Sequence, residues 1–504
     1  MKKSIISRCV MNVSGAARGR RMCTLAIQET KARNETNLPL YRRLSALGIT
    51  GESVSKTMNE YVREGKTVRK NEIESCVKQL RKFKRYHHAL ELMEWMETRG
   101  NNLSYSDYAV RLDLLSKTKG LNKAVEYFDN LPDLAKNHLT YGALLNCYCK
   151  NENTEKALDL FEKMSEKNIA STLAFNNLMT LHMKLGEPEK VPLLLLEMKE
   201  KSISPDTFTY NIVMASHAAT KDIEGVERVL KEMETKDSER CDWSTYSNLA
   251  SIYIKAGTID KANLALIELE KKMKPSYRTA YHFLISLYAS TSNLSEVHRV
   301  WSSLKSALPT TNNLSYLVML QSLSKLDDLD GLTKCFKDWE TSCSSYDMRL
   351  VNTVVSAYLR RDMVKEARLI CEDAIKRGPG LNYRTHELFM DFFIRNLQLD
   401  SALSCMEACI SIVKKKKKNE WKPTPERVMA FLKHCEKQKN VTDAEEFCKM
   451  LKNVDCLDSN AYCLLLSTYI AANKKEPGMR KRLEMDCIKV TLELEELLEK
   501  VCMQ

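Results

Sequence analysis

Seventeen cysteines and nine histidines carry the most distinctive chemistry in this 504-residue chain, yet neither set is spaced to use it. Zinc and dithiol redox sites need pairs such as Cys-x-x-Cys, because two sulfurs must converge on one ion or share one disulfide. No such pair occurs, and the closest cysteines are Cys147 with Cys149 and Cys405 with Cys409. An odd count at mostly apolar helical positions fits small buried hydrophobes in a reducing compartment. His87 and His88 are adjacent, and neighbours on a helix point about 100° apart, so the two cannot chelate one ion. The sequence has no Gly-x-Ser-x-Gly elbow and no glycine-rich phosphate loop, and it lacks the Cys-x-x-Cys that a zinc deaminase requires. These residues predict no catalytic group, no metal site, no cofactor and no small-molecule substrate, so the chain reads as a protein that is not an enzyme.

Charge is the second chemical signal, and its placement matters more than its size. Lys2, Lys3, Arg8, Arg18, Arg20 and Arg21 precede the first acid, Glu29, and supply half of the net charge of +12. A basic, acid-free start containing Ser, Ala and Gly has the composition of an organellar transit peptide, and residues 1–28 are read as one. Their arginine weighting favours the mitochondrion, with the chloroplast as the alternative. The remaining chain is nearly neutral, and consecutive Lys414, Lys415, Lys416, Lys417 and Lys418 provide most of its excess. Such a run is either a solvated loop or a loop that clamps phosphates in a salt-dependent way. No apolar stretch approaches the roughly 18 residues needed to cross a bilayer, so no membrane partner is expected.

Whatever these side chains do, internal repetition positions them. The chain aligns on itself with a period near 35 residues, in units starting at 70, 105, 138, 172, 207, 243, 278, 313, 348, 383, 425 and 459. The fourth position is mostly aromatic (Tyr108, Tyr141, Phe175, Tyr210, Tyr246, Tyr281, Tyr316, Tyr462), and the twentieth is small and apolar (Ala89, Ala124, Ala157, Ala262, Ala367, Ala402, Ala444). Within one unit, Tyr141, Leu144, Leu145 and Tyr148 recur on one helical face, a polar turn follows, and Ala157, Leu160, Phe161 and Met164 repeat the pattern. Each helical hairpin is apolar on more than one side and must stack on its neighbours to bury that surface. The reading is all-α: a lead-in over 29–69, repeats over 70–493 with the lysine run as an insertion in the longest interval, and a tail over 494–504.

The tetratricopeptide signature Trp-x₂-Leu-Gly-x₂-Tyr is missing from these units. They carry instead Thr209, Tyr210 and Asn211 near the start of a first helix, and Asp206 and Asp242 just before one. Residues 140–169 and 207–233 resemble pentatricopeptide repeats, and residues 40–66 resemble the lead-in of short plant mitochondrial members of that family. The resemblance implies a right-handed α-solenoid superhelix of about twelve hairpins that binds RNA one base per repeat. It assigns selectivity to the fifth residue of each unit and the last residue before the next. On this chain, Asn176/Asp206 and Asn211/Asp242 would then favour uridine, and Asn352/Asn382 a pyrimidine. Asn offers both a donor and an acceptor to a base edge. Glu74, Ala109, Gly142, Leu317 and Met429 occupy other fifth positions and have no family reading.

Three interpretable pairs discriminate weakly, since a good base contact contributes roughly 1–3 kcal/mol. The leading expectation is a structural RNA–protein adaptor in a mitochondrial ribonucleoprotein such as the mitochondrial ribosome, with RNA and ribonucleoprotein proteins as partners. The alternatives are a sequence-specific factor for transcript stability, splicing or translation, and a scaffold that binds proteins alone.

Overall fold

The computed structural model describes residues 40–502 apart from 51–52, 101–102, 237–240, 344, 378–379 and 417–420. The proposed transit peptide, residues 1–28, lies outside the described residues. Every regular element among the described residues is helical, and the chain divides into two compact units, Met1–Arg240 and Cys241–Gln504.

In the N-terminal unit, helices Leu40–Thr50 and Val54–Arg63 pack on the first hairpin, Lys70–Lys82 with Tyr86–Thr98. Arg43 donates to both carboxylate oxygens of Glu64 at 2.8 and 2.9 Å, and this guanidinium holds the carboxyl down to about 2. Four more hairpins follow, with first helices starting at Tyr105, His138, Thr172 and Thr207. The C-terminal unit stacks hairpins whose first helices start at Trp243, Arg278, Asn313, Met348, Tyr383, Pro425 and Ser459.

Local chemistry explains these starts. A helix leaves its first amides unpaired, and a short polar side chain just ahead satisfies them. Ser104, Asn137 and Asp206 do so in the N-terminal unit, and Asp242, Asn312, Asp347, Asn382, Thr424 and Asp458 in the C-terminal unit. The twentieth positions, early in each second helix, include Ala89, Ala124, Ala157, Val191 and Val226 in the first unit and Ala262, Val297, Leu332, Ala367, Ala402 and Ala444 in the second. All are fully buried. A larger side chain there would push the two helices of a hairpin apart.

The corner between the two helices is a left-handed residue, the usual way to end a helix tightly, in all but the hairpin starting at Tyr105. Gly186 and Gly257 supply it in two hairpins, while Lys84, Glu152, Lys221, Ser292, Asp327, Asp362, Leu397, Lys439 and Asn473 take φ values of 51–61° at the equivalent place. Consecutive hairpins are also tied through their second helices by a lysine, an acid and the fourth-position tyrosine. Lys199 lies 2.7 Å from Glu232, which accepts from Tyr210 at 3.2 Å. The same arrangement joins Lys305, Asp338 and Tyr316, and again Lys452, Asp486 and Tyr462.

Two segments differ from the sequence reading. Helix Leu399–Lys416 runs through the first lysines of the basic run, so Lys414, Lys415 and Lys416 continue a helix instead of beginning a loop. Lys414 is exposed, and Lys417 and Lys418 lie outside the described residues. Residues 494–504, read as a tail, fall largely in helix Leu492–Cys502, whose Leu494, Leu498 and Val501 are buried against helix Ser459–Ala471.

Candidate nucleic-acid interface

The fifth residue of each repeat sits on the second turn of a first helix, and the last residue before a repeat caps that helix. The cap residues named from the sequence are therefore already bonded. Asp206 accepts the Thr209 amide at 2.7 Å and the Thr209 hydroxyl at 2.8 Å. Asp242 accepts the Ser244 and Thr245 amides at 2.8 and 3.3 Å. Asn382 accepts the Thr385 amide at 3.0 Å.

Two of the three sequence-derived pairs meet side chain to side chain. Asn176 donates to Asp206 at 3.2 Å, and Asn352 donates to Asn382 at 3.3 Å while accepting from the Thr385 hydroxyl at 2.7 Å. Burial pushes the Asp206 carboxyl up, but donation from Thr209 and Asn176 favours the charged form and holds it below its ordinary value. Asn176 is buried, and its Oδ1 has no hydrogen-bond partner. A shielded acceptor left unpaired is costly in a folded protein. Asn211 is half-buried and belongs to the N-terminal unit, while Asp242 belongs to the C-terminal unit.

At three other fifth positions the side chains are engaged within the fold. His282 meets the Ser315 hydroxyl at 2.8 Å in the C-terminal unit, and Leu317 is buried. Glu387 is closed most completely. Its carboxylate accepts from Arg427 at 2.9 Å, from the Trp421 indole at 3.1 Å and from Arg384 at 2.9 Å. Arg427 also grips Asp391 at 2.6 and 3.0 Å.

Two columns of residues escaped the sequence reading. Second positions lie one turn before the fifth on the same helical face, and in three successive hairpins they are exposed and apolar: Leu139, Leu173 at 60% and Phe208 at 57%. Thirteenth positions, in the last turn of the first helix, carry exposed Lys82, Lys117, Lys150 and Lys184 in the N-terminal unit. The C-terminal unit has Lys255, Lys325, Arg360, Arg395 and Lys437 there. A cation at a helix C-terminus is favoured by the macrodipole. Arg395 donates to the Leu359 carbonyl at 2.7 Å, and Lys325 to the Ser290 hydroxyl at 2.8 Å, each on the preceding hairpin. Lys117 lies 2.6 Å from buried Asp113, with Arg81 at 3.1 Å on the same carboxylate. Both columns were legible once the period was known, by reading down positions two and thirteen as well as four and twenty.

This stretch is also where comparison with known proteins is sharpest. The PPR repeat family model matches residues 170–219, and the PPR repeat model matches residues 139–169 and 208–238. A mitochondrial pentatricopeptide repeat-containing protein of Arabidopsis thaliana is 47% identical over 465 residues, covering 92% of this chain and 86% of the relative. The chain belongs to the pentatricopeptide repeat family. A second mitochondrial member from Arabidopsis thaliana is 45% identical, covering 94% of this chain and 93% of that one. A large ribosomal subunit protein of the same plant is 44% identical, covering 92% and 94% respectively. Pentatricopeptide repeat proteins bind RNA, and the chain is mitochondrial like these named mitochondrial relatives.

Proposed function

We propose that the chain is a non-enzymatic RNA-binding component built into a mitochondrial ribonucleoprotein, the large subunit of the mitochondrial ribosome. The observation that carries this reading is the engagement of the selective side chains within the fold. Asn176 and Asn352 donate to their own paired caps, and Glu387 is held by Arg427. A factor that searches transcripts needs an uninterrupted run of side chains presented to bases, and here the run extends at most over the adjacent repeats starting at 172 and 207. The thirteenth-position cations support phosphate contact along folded RNA, which positions a protein without reading sequence. The relative named as a large ribosomal subunit protein supports the same particle.

Within this reading, Asn176, Asp206, Asn211, Asp242, Asn352 and Asn382 are proposed as base contacts only where a base displaces the internal bonds of the Asn and cap side chains. Lys414 to Lys418 are proposed as phosphate contacts, and residues 1–28 as the import signal. The test is sedimentation of mitochondrial lysate on a sucrose gradient. The protein is expected with the large subunit, shifting with it when ribosomes are dissociated. Recovery at the top of the gradient, together with one protected footprint on a single transcript, would refute the proposal. A transcript-specific factor is the second reading, and the unpaired Asn176 Oδ1, with exposed Leu173 and Phe208 at second positions of the same two repeats, favours it. Its signature is uridine selectivity in isolated protein that is lost on Asn176→Ala.

A further inference from the structure

The second helices of two neighbouring repeats form a surface that the RNA reading leaves unused. Helices Thr154–Glu166 and Lys190–Glu200 border a groove of about 360 Å³ floored by Phe161, Leu178 and Leu194. Leu158 stands at its edge, 42% exposed, and Leu193 and Leu196 leave further apolar surface open on the second of these helices. Solvated helix faces are normally polar, so exposed leucines on the helices that border a groove point to a surface that meets a partner.

The charge around the groove says which partner. Asp159, Glu162 and Glu197 line it with Lys201 and with His182, whose ring meets Glu187 at 2.8 Å. Lys201 is already committed, 2.6 Å from Glu197 and 6.0 Å above the Phe161 ring. Asp159 and Glu162 are exposed and make no ion pair or side-chain hydrogen bond with any described residue. Two carboxylates without an ion-pair partner repel phosphate and attract a cation, which favours a basic occupant over RNA. The hydroxyl oxygen of Ser165, also on the groove wall, is shielded and unpartnered.

We propose that this groove is the docking site for a basic amphipathic helix of a partner protein. The bordering helices have 13 and 11 residues. At 1.5 Å per residue they extend about 16–20 Å, enough for roughly three turns of a bound helix. Its apolar side chains at i, i+3 or i+4 and i+7 enter between Leu158 and Leu194, and its flanking lysines or arginines meet Asp159 and Glu162. The occupant is defined by chemistry alone, and its binding requires neither RNA nor the ribosomal assignment.

The test uses the full chain and a fluorescein-labelled Leu/Lys peptide with leucine at helical a and d spacing, read by anisotropy. Controls are the same composition scrambled and a Leu/Glu peptide of the same pattern. Saturable binding of the patterned Leu/Lys peptide alone is expected, weakened about tenfold or more by Asp159→Lys with Glu162→Lys. Leu158→Gln should weaken it with the surface charge unchanged. Both variants alter exposed positions, and circular dichroism checks that each stays folded; if one does not, the other carries the comparison. Equal affinity for the scrambled peptide, unchanged affinity in the folded variants, no binding at all, or displacement of the peptide by oligouridine would each overturn the proposal.

Discussion

Arg427→Met should be among the most damaging single changes in the C-terminal unit. The Glu387 and Arg427 side chains are 9% and 6% exposed, 2.9 Å apart. Removing the guanidinium leaves the carboxylate with the Trp421 indole and Arg384, and Arg384 is 56% exposed and screened by water. Breaking a buried pair by deleting one partner costs about 3–5 kcal/mol. The two surviving donors place this case near about 3 kcal/mol. The same reasoning makes the double variant Arg427→Met with Glu387→Gln milder than Arg427→Met alone, by more than about 1 kcal/mol, because the buried charge leaves with its partner. Acid adds an independent readout. Burial pushes the Glu387 carboxyl up, but donation from Arg384 and Trp421 and the charge of Arg427 outweigh it, so the group lies below its ordinary 4.5. A depressed carboxyl contributes fully at neutral pH, and the contribution is lost as pH falls from 4.5 through the lower folded value. Glu387→Gln should flatten that acid limb. Stacked repeats open locally, so urea melts should be paired with hydrogen exchange in helices Tyr383–Arg395 and Pro425–Gln438. A single variant no worse than the double, or protection lost elsewhere first, would refute the argument.

Ala157→Phe should overpack a fully buried contact and cost about 1–3 kcal/mol, whereas Lys163→Phe on the exposed face should melt like the parent; equal melting would discredit the register. Asp206→Ala should cost about 1 kcal/mol through the lost cap, while Asp206→Asn keeps the cap and changes only base preference in filter binding. Lys150→Ala with Lys184→Ala should reduce the slope of log affinity against log salt for single-stranded RNA by about 1.4, and an unchanged slope would remove the thirteenth-position column from the interface. A reporter fused to residues 1–40 should enter mitochondria and be shortened on arrival, and cytosolic, full-length reporter would contradict the import assignment.

The fold was legible because a helical period of 3.6 and a repeat period near 35 are local patterns, readable from Tyr141, Leu144, Leu145 and Tyr148 without any tertiary contact. The interface was legible only in part. Asn176, Asn352 and their caps could be named from position, but their engagement with each other depends on how adjacent helices pack. Glu387 was visible as an acid out of pattern. Its partners Arg427 and Trp421 lie 40 and 34 residues away, beyond any local signal. The helix at Leu492–Cys502 was missed for a simpler reason: Leu494, Leu498 and Val501 have helical spacing, yet lie past the last counted repeat.

The left-handed corners offer a handle on cooperativity. A side chain in that conformation costs roughly 1–2 kcal/mol relative to the right-handed region, and the looser unfolded chain that glycine brings returns part of this. Leu397→Gly or Lys84→Gly should therefore gain a few tenths to about 1 kcal/mol net. Lys84, Glu152, Lys221, Ser292, Leu397 and Lys439 each lie in a different hairpin, and gains at well-separated sites should add. Installed one at a time, they become calibrated weights hung at known points along a one-dimensional array. How far each weight's effect travels, read as exchange protection in successive repeats, would measure the coupling length of the solenoid directly.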